Sequence, residues 1–179
     1  MGGSELLVTQ NVDRLHQAAG SARVLDLHGR LDLVRCMGCE RRTARDDLQA
    51  EMERLNPGWL EVEALQAPDG DADLDGVDFS GFVAPGCAAC GGLLKPDVVF
   101  YGENVPRARV DEASLHLARA DAVLVVGSSL MVYSGFRFVE AAARAGKPVA
   151  AVNLGRTRAD KALALKVERP CETALAFLL

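Results

Sequence analysis

Two Cys-x-x-Cys pairs constrain the fold of this 179-residue chain more than any other feature. The four residues are Cys36, Cys39, Cys87 and Cys90. Two thiolates in such a turn can reach one Zn²⁺, and a second pair completes a closed tetrahedral site. Gly38 lies inside the first pair and Gly91 follows the second, where glycine lets the backbone curl beneath a metal. Because four sulfurs leave no open position for water or substrate, the spacing predicts a structural zinc site rather than a catalytic one.

The segment between the two cysteine pairs is long. Residues 40–86 separate them, whereas a compact zinc ribbon uses roughly 15–20 residues. Glu40 to Leu55 has a helical pattern, and the acidic stretch Ala67 to Gly81 follows it. This stretch resembles a calcium loop but lacks its terminal Glu, so a solvated loop is the favoured interpretation. Two unrelated redox pairs are the disfavoured alternative to zinc, because redox sites do not normally bracket an insertion.

Composition excludes several classes of partner. The net charge of −5 offers no basic face for nucleic acid and no polybasic patch for anionic lipid. The apolar runs are far shorter than the roughly 20 residues that span a bilayer. Residues 1–5 show no secretory signal, and cysteines grouped in CxxC pairs are typical of metal binding rather than disulfides. A reducing cytoplasm is therefore the expected compartment.

The pattern of apolar residues predicts an α/β fold. The expected strands are Glu5 to Thr9, Arg23 to Leu27, Val98 to Tyr101, Ala122 to Val126 and Val149 to Asn153, and the expected helices are Arg14 to Ala19, Arg109 to Arg119, Phe136 to Ala145 and Thr173 to Leu179. Alternating strands and helices favour a Rossmann-like, doubly wound parallel sheet. We assign residues 1–30 and 95–179 to this partial sheet domain and residues 31–94 to an inserted zinc-binding module.

Polar residues end two of the predicted strands. Thr9 to Asp13 follows the first strand and Leu27 to Gly29 ends the second, at the edge where α/β sheets bind ligands. With an ordinary pKa near 6.5, His28 can serve as a general base. A lone histidine is more often structural, which is the interpretation we favour for His16 and His116.

These features together resemble the sirtuin family in content and order. The matching segments are Thr9 to Asp13, Leu27 to Gly29, the two CxxC pairs, Lys95 to Glu103, Gly127 to Leu130 and Val152 to Gly155. Further segments resemble the class II branch of that family, which includes a mitochondrial member and bacterial relatives: Leu55 to Pro57, Ala67 to Asp71, Val132 to Gly135 and Arg156 to Asp160. The resemblance covers essentially the whole chain and implies NAD and Zn²⁺ as cofactors and an acyl-lysine protein or peptide as substrate.

The resemblance also implies roles for individual residues. His28 matches the catalytic base, which deprotonates a ribose hydroxyl of NAD after the acyl oxygen has displaced nicotinamide. The residues that match cofactor ligands are Gln10, Asn11, Asp13, Gly127, Ser128, Ser129, Asn153 and Cys171. The residues that match the acyl-lysine tunnel and the two peptide-binding edges are Val98, Phe100, Gly102, Glu103, Val132 and Tyr133. Taken without the family, Gly127 to Ser129 and Cys171 are more simply turn residues.

Sirtuins begin with a glycine-rich loop and a Pro-Asp-aromatic-Arg motif, and neither motif occurs in this chain. The resemblance therefore predicts an N-terminally truncated sirtuin, whose activity alone is in doubt. The expected activity of a completed chain is NAD-dependent protein-lysine deacylation, which releases nicotinamide and O-acyl-ADP-ribose. Protein mono-ADP-ribosyl transfer and a noncatalytic zinc-stabilised binding module remain as alternatives, and the oligomeric state is open.

Overall fold

A computed structural model describes residues 4–59, 65–66, 72–73 and 78–178. Its strands are β1 Leu7–Thr9, β2 Val24–Asp26, β3 Gly29–Cys36, β4 Arg42–Ala44, β5 Leu65–Gln66, β6 Ala72–Asp73, β7 Leu94–Val98, β8 Val123–Val126, β9 Val149–Val152 and β10 Leu165–Val167. Its α-helices are α1 Leu15–Ala18, α2 Arg45–Leu55, α3 Arg107–Arg119, α4 Tyr133–Arg144 and α5 Cys171–Ala174. Single 3-10 turns lie at Pro57–Trp59, Asp160–Ala162 and Ala176–Leu178.

The chain divides into two compact units. The first comprises Met1–Asn11, Leu15–His28 and Val99–Leu179, and the second comprises Val12–Arg14 and Gly29–Val98. No helix in the described part of the chain is both long and apolar enough to cross a bilayer.

The first unit is an α/β structure built on parallel strands. β1 pairs with β2, and β8, β9 and β10 form a sheet in the order β10-β9-β8, all in parallel. Helix α4 packs on β9, and α3 contacts β2 and α4. The buried core consists of Val125, Leu130, Val139, Ala142, Val149, Ala151 and Ala159. The predicted α/β class with parallel sheets is confirmed.

Helix α4 ends at a glycine signal that the sequence displays. Gly146 has a φ of 71° and its N–H donates to the Ala143 carbonyl, while the N–H of Lys147 donates to that of Ala142. These two bonds form a Schellman motif, which satisfies the last carbonyls of the helix. Pro148 follows and leads the chain into β9. The predicted end of this helix at Ala145 is therefore correct to within one residue.

The second unit contains an antiparallel sheet in the order β4-β3-β7. The predicted strand Val98 to Tyr101 is wrong, because the strand is Leu94–Val98 and it pairs antiparallel with β3. Beyond it, the Phe100 N–H bonds to the Glu103 carboxylate, and the Glu103 N–H bonds to the Phe100 carbonyl. These bonds hold residues 100–103 in a tight turn, so they cannot continue the strand.

Three other element predictions also need correction. The helix predicted from Glu40 begins at Arg45, because Arg42–Ala44 pairs with β3 as a strand. The closing helix is only Cys171–Ala174 followed by the 3-10 turn Ala176–Leu178. Strand β10 was not predicted. Most of the acidic stretch 67–81 lies outside the described residues.

Gly29 permits a close backbone approach within the second unit. Its φ is 93°, and a Cβ atom here would lie 1.9 Å from the backbone oxygen of Asp97 in β7. Alanine would therefore be strained and would also force β3 and β7 apart. Gly20 provides a matched comparison, since its φ is 89° but a Cβ atom would meet open space.

We expect Gly29→Ala to lower the free energy of unfolding by about 1–3 kcal/mol more than Gly20→Ala, because only Gly29 adds overpacking to the cost of positive φ. Urea denaturation followed by far-ultraviolet circular dichroism measures both variants. Equal destabilisation by the two substitutions would show that the close approach of Gly29 to Asp97 does not affect the free energy of unfolding.

Candidate active site

His28 lies just beyond the carboxyl end of β2 in the first unit. Parallel pairing places this end beside the end of β1, where the Leu27 N–H donates to the Thr9 carbonyl. The His28 side chain is half-buried, and its Nε2 atom lies 2.7 Å from the hydroxyl oxygen of Ser134 in the first turn of α4. The ring also bonds to the backbone carbonyl of Gln10. A tautomer with the proton on Nδ1 satisfies both contacts, because Nδ1 can then donate to the carbonyl while Nε2 accepts from Ser134.

The surroundings of His28 favour its uncharged form. Burial is the main cause, and it lowers the pKa of the imidazole below its ordinary value of 6.5. The bond to the Gln10 carbonyl opposes this by raising the pKa, and the positive charge of Arg109 in α3 lowers it further. At neutral pH the ring is therefore able to accept a proton, as a general base must.

The lowered pKa predicts a particular pH dependence. His28 should titrate below pH 6.5 in the folded chain and near 6.5 in denaturing urea. Since the unfolded chain then binds more protons in this window, His28 should make stability fall as the pH drops below about 6.5. Nuclear magnetic resonance of ¹³C-labelled histidine measures both pKa values. A folded pKa above the unfolded one would contradict this account of the environment of His28.

The polar segment that follows β1 faces the segment that follows β8. The Ser128 hydroxyl donates to Gln10 Oε1 at 3.2 Å and accepts from the Leu130 N–H at the same distance. The backbone N–H of Asn11 donates to the hydroxyl of Thr9 at 3.1 Å. This bond does not involve the side chain of Asn11, which is exposed. The ends of the parallel strands of this unit therefore present several amide and hydroxyl groups together.

A cavity of about 370 Å³ opens at the ends of β8 and β9. Its lining residues are Gly127, Asn153, Leu154, Arg169, Pro170, Cys171 and Glu172. Gly127 directly follows β8 and has a φ of 60°, so the chain turns there at a residue without a side chain. Asn153 is 8% exposed, and its amide donates to the Leu154 carbonyl. Three of the five predicted ligands beyond β8, namely Gly127, Asn153 and Cys171, thus line one cavity, and Ser128 and Ser129 continue the turn from Gly127.

Five of the six predicted substrate-binding residues are exposed, and Val98 is the exception. Val132, Tyr133 and Phe100 are each about half exposed in the first unit, and Gly102 and Glu103 belong to the turn described above. Asp13 and Val98 belong to the second unit, where Asp13 is exposed and Val98 is partly buried. The roles of all these residues remain predictions.

The four cysteine thiols of the two CxxC pairs come together in the second unit. Their sulfur atoms all lie within 4.8 Å of one another, and the pairs Cys36–Cys90 and Cys39–Cys87 are separated by 3.5 and 3.7 Å. A tetrahedral Zn²⁺ with bonds of about 2.3 Å requires sulfur atoms about 3.8 Å apart. The cluster therefore fits one zinc ion with four protein ligands.

The chemistry of the thiols agrees with that fit. The N–H groups of Cys39 and Gly38 point at the Cys36 sulfur and lower the pKa of that thiol to about 6. The Gly92 N–H lowers the pKa of Cys90, but the neighbouring Cys36 and Cys39 overcome this and raise the pKa to about 12. Four thiolates so close together repel one another, and a divalent cation removes that repulsion.

Sequence reasoning missed three groups that act on the candidate base and its neighbour. Ser134 contacts His28, Gly135 lies against the Gln10 side chain, and Arg109 acts on His28 by its charge. All three are far from His28 along the chain. Local sequence offered no signal for them, since Gly135 precedes the predicted helix Phe136 to Ala145 and lies in the first turn of α4 only because the helix begins at Tyr133.

Comparison with known proteins places this geometry in a family. A protein from Xanthomonas campestris pv. campestris (strain 8004), named NAD-dependent protein deacetylase, is 72% identical over 177 residues, which are 99% of this chain and 60% of that protein. NAD-dependent protein deacetylase 2 of Bradyrhizobium diazoefficiens is 66% identical over 178 residues, which are 99% of this chain and 65% of that protein. The chain thus spans somewhat less than two thirds of the length of these relatives.

Solved structures agree with these relatives. A Sir2 protein bound to an acetylated peptide matches with a TM-score of 0.74 and 29% identity, covering 97% of this chain and 61% of the other. Another, described as Sir2 with p53 peptide and NAD⁺, matches with a TM-score of 0.73 and 30% identity over the same shares. Residues 2–134 match the Sir2 family itself. The chain is therefore a member of the Sir2 family, the sirtuins.

Proposed function

We propose that this chain carries the catalytic base and part of the cofactor site of an NAD-dependent protein-lysine deacylase. The observation that carries the proposal is His28, a half-buried imidazole with a lowered pKa at the carboxyl ends of parallel strands, in a chain of the Sir2 family. The relatives named NAD-dependent protein deacetylase support a deacetylase activity. Family structures described with NAD⁺ or acetylated peptide support the same cofactor and a protein substrate.

The residues around the strand ends suit NAD. The cavity lined by Gly127, Asn153 and Cys171 would bind the adenosine part of NAD. It offers the exposed backbone of Gly127 and the nearly buried side-chain amide of Asn153 as polar contacts. Ser128 and Ser129 would contact phosphate or ribose. Gln10, Asn11 and Asp13 would contact the nicotinamide riboside with amide and carboxylate groups, which suit a carboxamide and hydroxyls. When bound, NAD supplies the nicotinamide leaving group and the ADP-ribose that accepts the acyl group.

The chain contributes proton transfer and substrate alignment. His28 would take a proton from a ribose hydroxyl at Nε2, the nitrogen that the Nδ1–H tautomer leaves unprotonated, and the ribose hydroxyl would there replace the hydroxyl of Ser134 as the donor. Val98 and Phe100 would line the acyl-lysine tunnel. The backbones of Gly102–Glu103 and Val132–Tyr133 would bind the substrate peptide between them as a strand.

Product analysis tests this function directly. The protein to assay is a completed fusion, in which this chain is joined to the part of the Xanthomonas campestris relative that lies outside the matched residues. Incubated with NAD and an acetyl-lysine peptide, it should yield deacetylated peptide, nicotinamide and O-acetyl-ADP-ribose in equal amounts, as mass spectrometry can show. Omitting NAD should abolish the reaction. A peptide that gains ADP-ribose instead of losing acetyl would replace deacylation by mono-ADP-ribosyl transfer.

The remaining alternative is a noncatalytic zinc-stabilised module. The names of the relatives do not favour it. Calorimetry of this chain with NAD tests it, because a chain that retains zinc but does not bind NAD would favour such a module. Placement in the cytoplasm, and the absence of nucleic-acid and membrane partners, stay predictions from composition.

A further inference from the structure

The first turn of α4 contacts two side chains of the candidate site through two adjacent residues. Ser134 contacts His28, and Gly135 contacts Gln10. Both contacts join residues more than 100 positions apart in the sequence, within the first unit. We propose that Ser134 and Gly135 are positioning residues, which orient the imidazole of His28 and the amide of Gln10 for the reaction.

The hydroxyl of Ser134 serves His28 rather than the helix. Serine near a helix N-terminus commonly bonds to the free N–H groups of the first turn. Here the N-cap residue of α4 is Val132, and no side chain makes a capping hydrogen bond to the first turn. The Ser134 oxygen instead lies 2.7 Å from Nε2 of His28. Since the ring also bonds to the Gln10 backbone carbonyl, two contacts hold the imidazole.

Gly135 provides space that any other residue would fill. A Cβ atom at this position would lie 2.9 Å from both Cδ and Oε1 of Gln10, which is closer than Cβ atoms pack. The backbone of Gly135 does not need glycine for conformational reasons, since its φ is not positive. Glycine also costs about 1 kcal/mol relative to alanine within a helix. Room for the Gln10 amide is therefore the physical reason for glycine at this place.

The two contacts are linked through Gln10. Its side-chain oxygen accepts from Ser128, while its backbone carbonyl bonds to the ring of His28. The side chain of a glutamine is flexible, so an added methyl group at Gly135 would move the amide at little cost in stability. It would break the contact with Ser128, and the site would be altered while the fold remained intact.

The Ser134 contact can be tested on the chain by nuclear magnetic resonance without NAD or substrate. Ser134→Ala removes a donor to the neutral ring, so it should change the ¹⁵N chemical shift of Nε2 and raise the pKa of His28. Arg109, the charged side chain that acts on His28, is unchanged in this variant. Ser134→Thr keeps the hydroxyl and should restore both values. Ser114→Ala removes an exposed hydroxyl from α3 and should change neither.

The Gly135 contact needs a readout that separates position from stability. Gly135→Ala should shift the side-chain NH₂ resonances of Gln10 while the urea midpoint stays equal or rises. Gly58→Ala, where a Cβ atom would meet open space, should leave these resonances in place. Unchanged His28 resonances in Ser134→Ala, or unchanged Gln10 resonances in Gly135→Ala, would overturn the proposal.

The effect of the two variants on catalysis can be measured by steady-state kinetics of the completed fusion, and this expectation rests on the proposed function. Ser134→Ala should lower kcat with little change in the KM for NAD, whereas Gly135→Ala should raise that KM. If the fusion lacks deacylase activity although the resonances shift as expected, the proposed function fails and the positioning role stands. If the fusion is active and neither variant changes its kinetics or resonances, the positioning role fails alone.

Discussion

Replacing His28 with alanine in the completed fusion should lower kcat for deacylation by about 10²- to 10⁴-fold, the range typical of a lost general base. The imidazole is half-buried, uncharged at neutral pH and held by Ser134 and the Gln10 carbonyl, so its removal takes away the group to which the proton transfer is assigned. The KM for NAD should change far less, because the proposed cofactor contacts lie on other residues. Steady-state kinetics with an acetyl-lysine peptide measure both constants.

His16→Ala is the matched control for this result. His16 lies in α1 of the same unit, and no role is assigned to it. Its replacement should leave kcat within a small factor of the unmodified fusion, and circular dichroism should show both variants folded. Full activity of a folded His28→Ala variant would remove the catalytic assignment, and with it the main support for the proposed function.

The sequence predicted those parts of the fold that are set by local patterns. Strands β8 and β9 were placed to within about one residue, because a continuous apolar run bounded by Gly127 or by Lys147 and Pro148 has one simple interpretation. The strand at Leu94–Val98 was misplaced, since Val98 to Tyr101 is the more apolar run and Leu94–Val98 contains a lysine, a proline and an aspartate. What decides between them is pairing with β3 and the turn at residues 100–103, and neither is a local property.

The residues of the candidate site also divide into those that local sequence identifies and those that only folding brings together. His28 and the cysteines were identifiable because their types and spacings carry chemical information, and the structure adds their distances, burial and hydrogen-bond partners. Ser134, Gly135 and Arg109 carry no such information by themselves. Their importance arises from folding, which brings α3 and α4 against the ends of β1 and β2. A positioning residue is defined by its neighbour, so sequence alone could not have shown it.

Removal of one zinc ligand should have the largest effect on stability. The sulfur cluster joins the end of β3, through Cys36, to the turn that precedes β7, through Cys87 and Cys90. Metal binding contributes about 10–16 kcal/mol to the folding of zinc-finger peptides, so losing the metal should unfold or severely destabilise the second unit. We expect Cys90→Ser to lose stoichiometric zinc, measured by mass spectrometry of the metal. Cys90 is exposed, so loss of packing cannot explain a large effect.

The sole tryptophan of the chain reports on this unit. Trp59 stacks on Phe79 and meets the edge of Phe82, with ring centroids 5.3 Å apart in both pairs. Its emission should shift to longer wavelength in Cys90→Ser and after treatment of the unmodified chain with a zinc chelator. Cys171→Ser changes the one cysteine outside the cluster and should keep both the zinc and the emission. A Cys90→Ser variant that retained zinc and unfolded at the same urea concentration as Cys171→Ser would show that the four sulfurs do not form the metal site that holds this unit together.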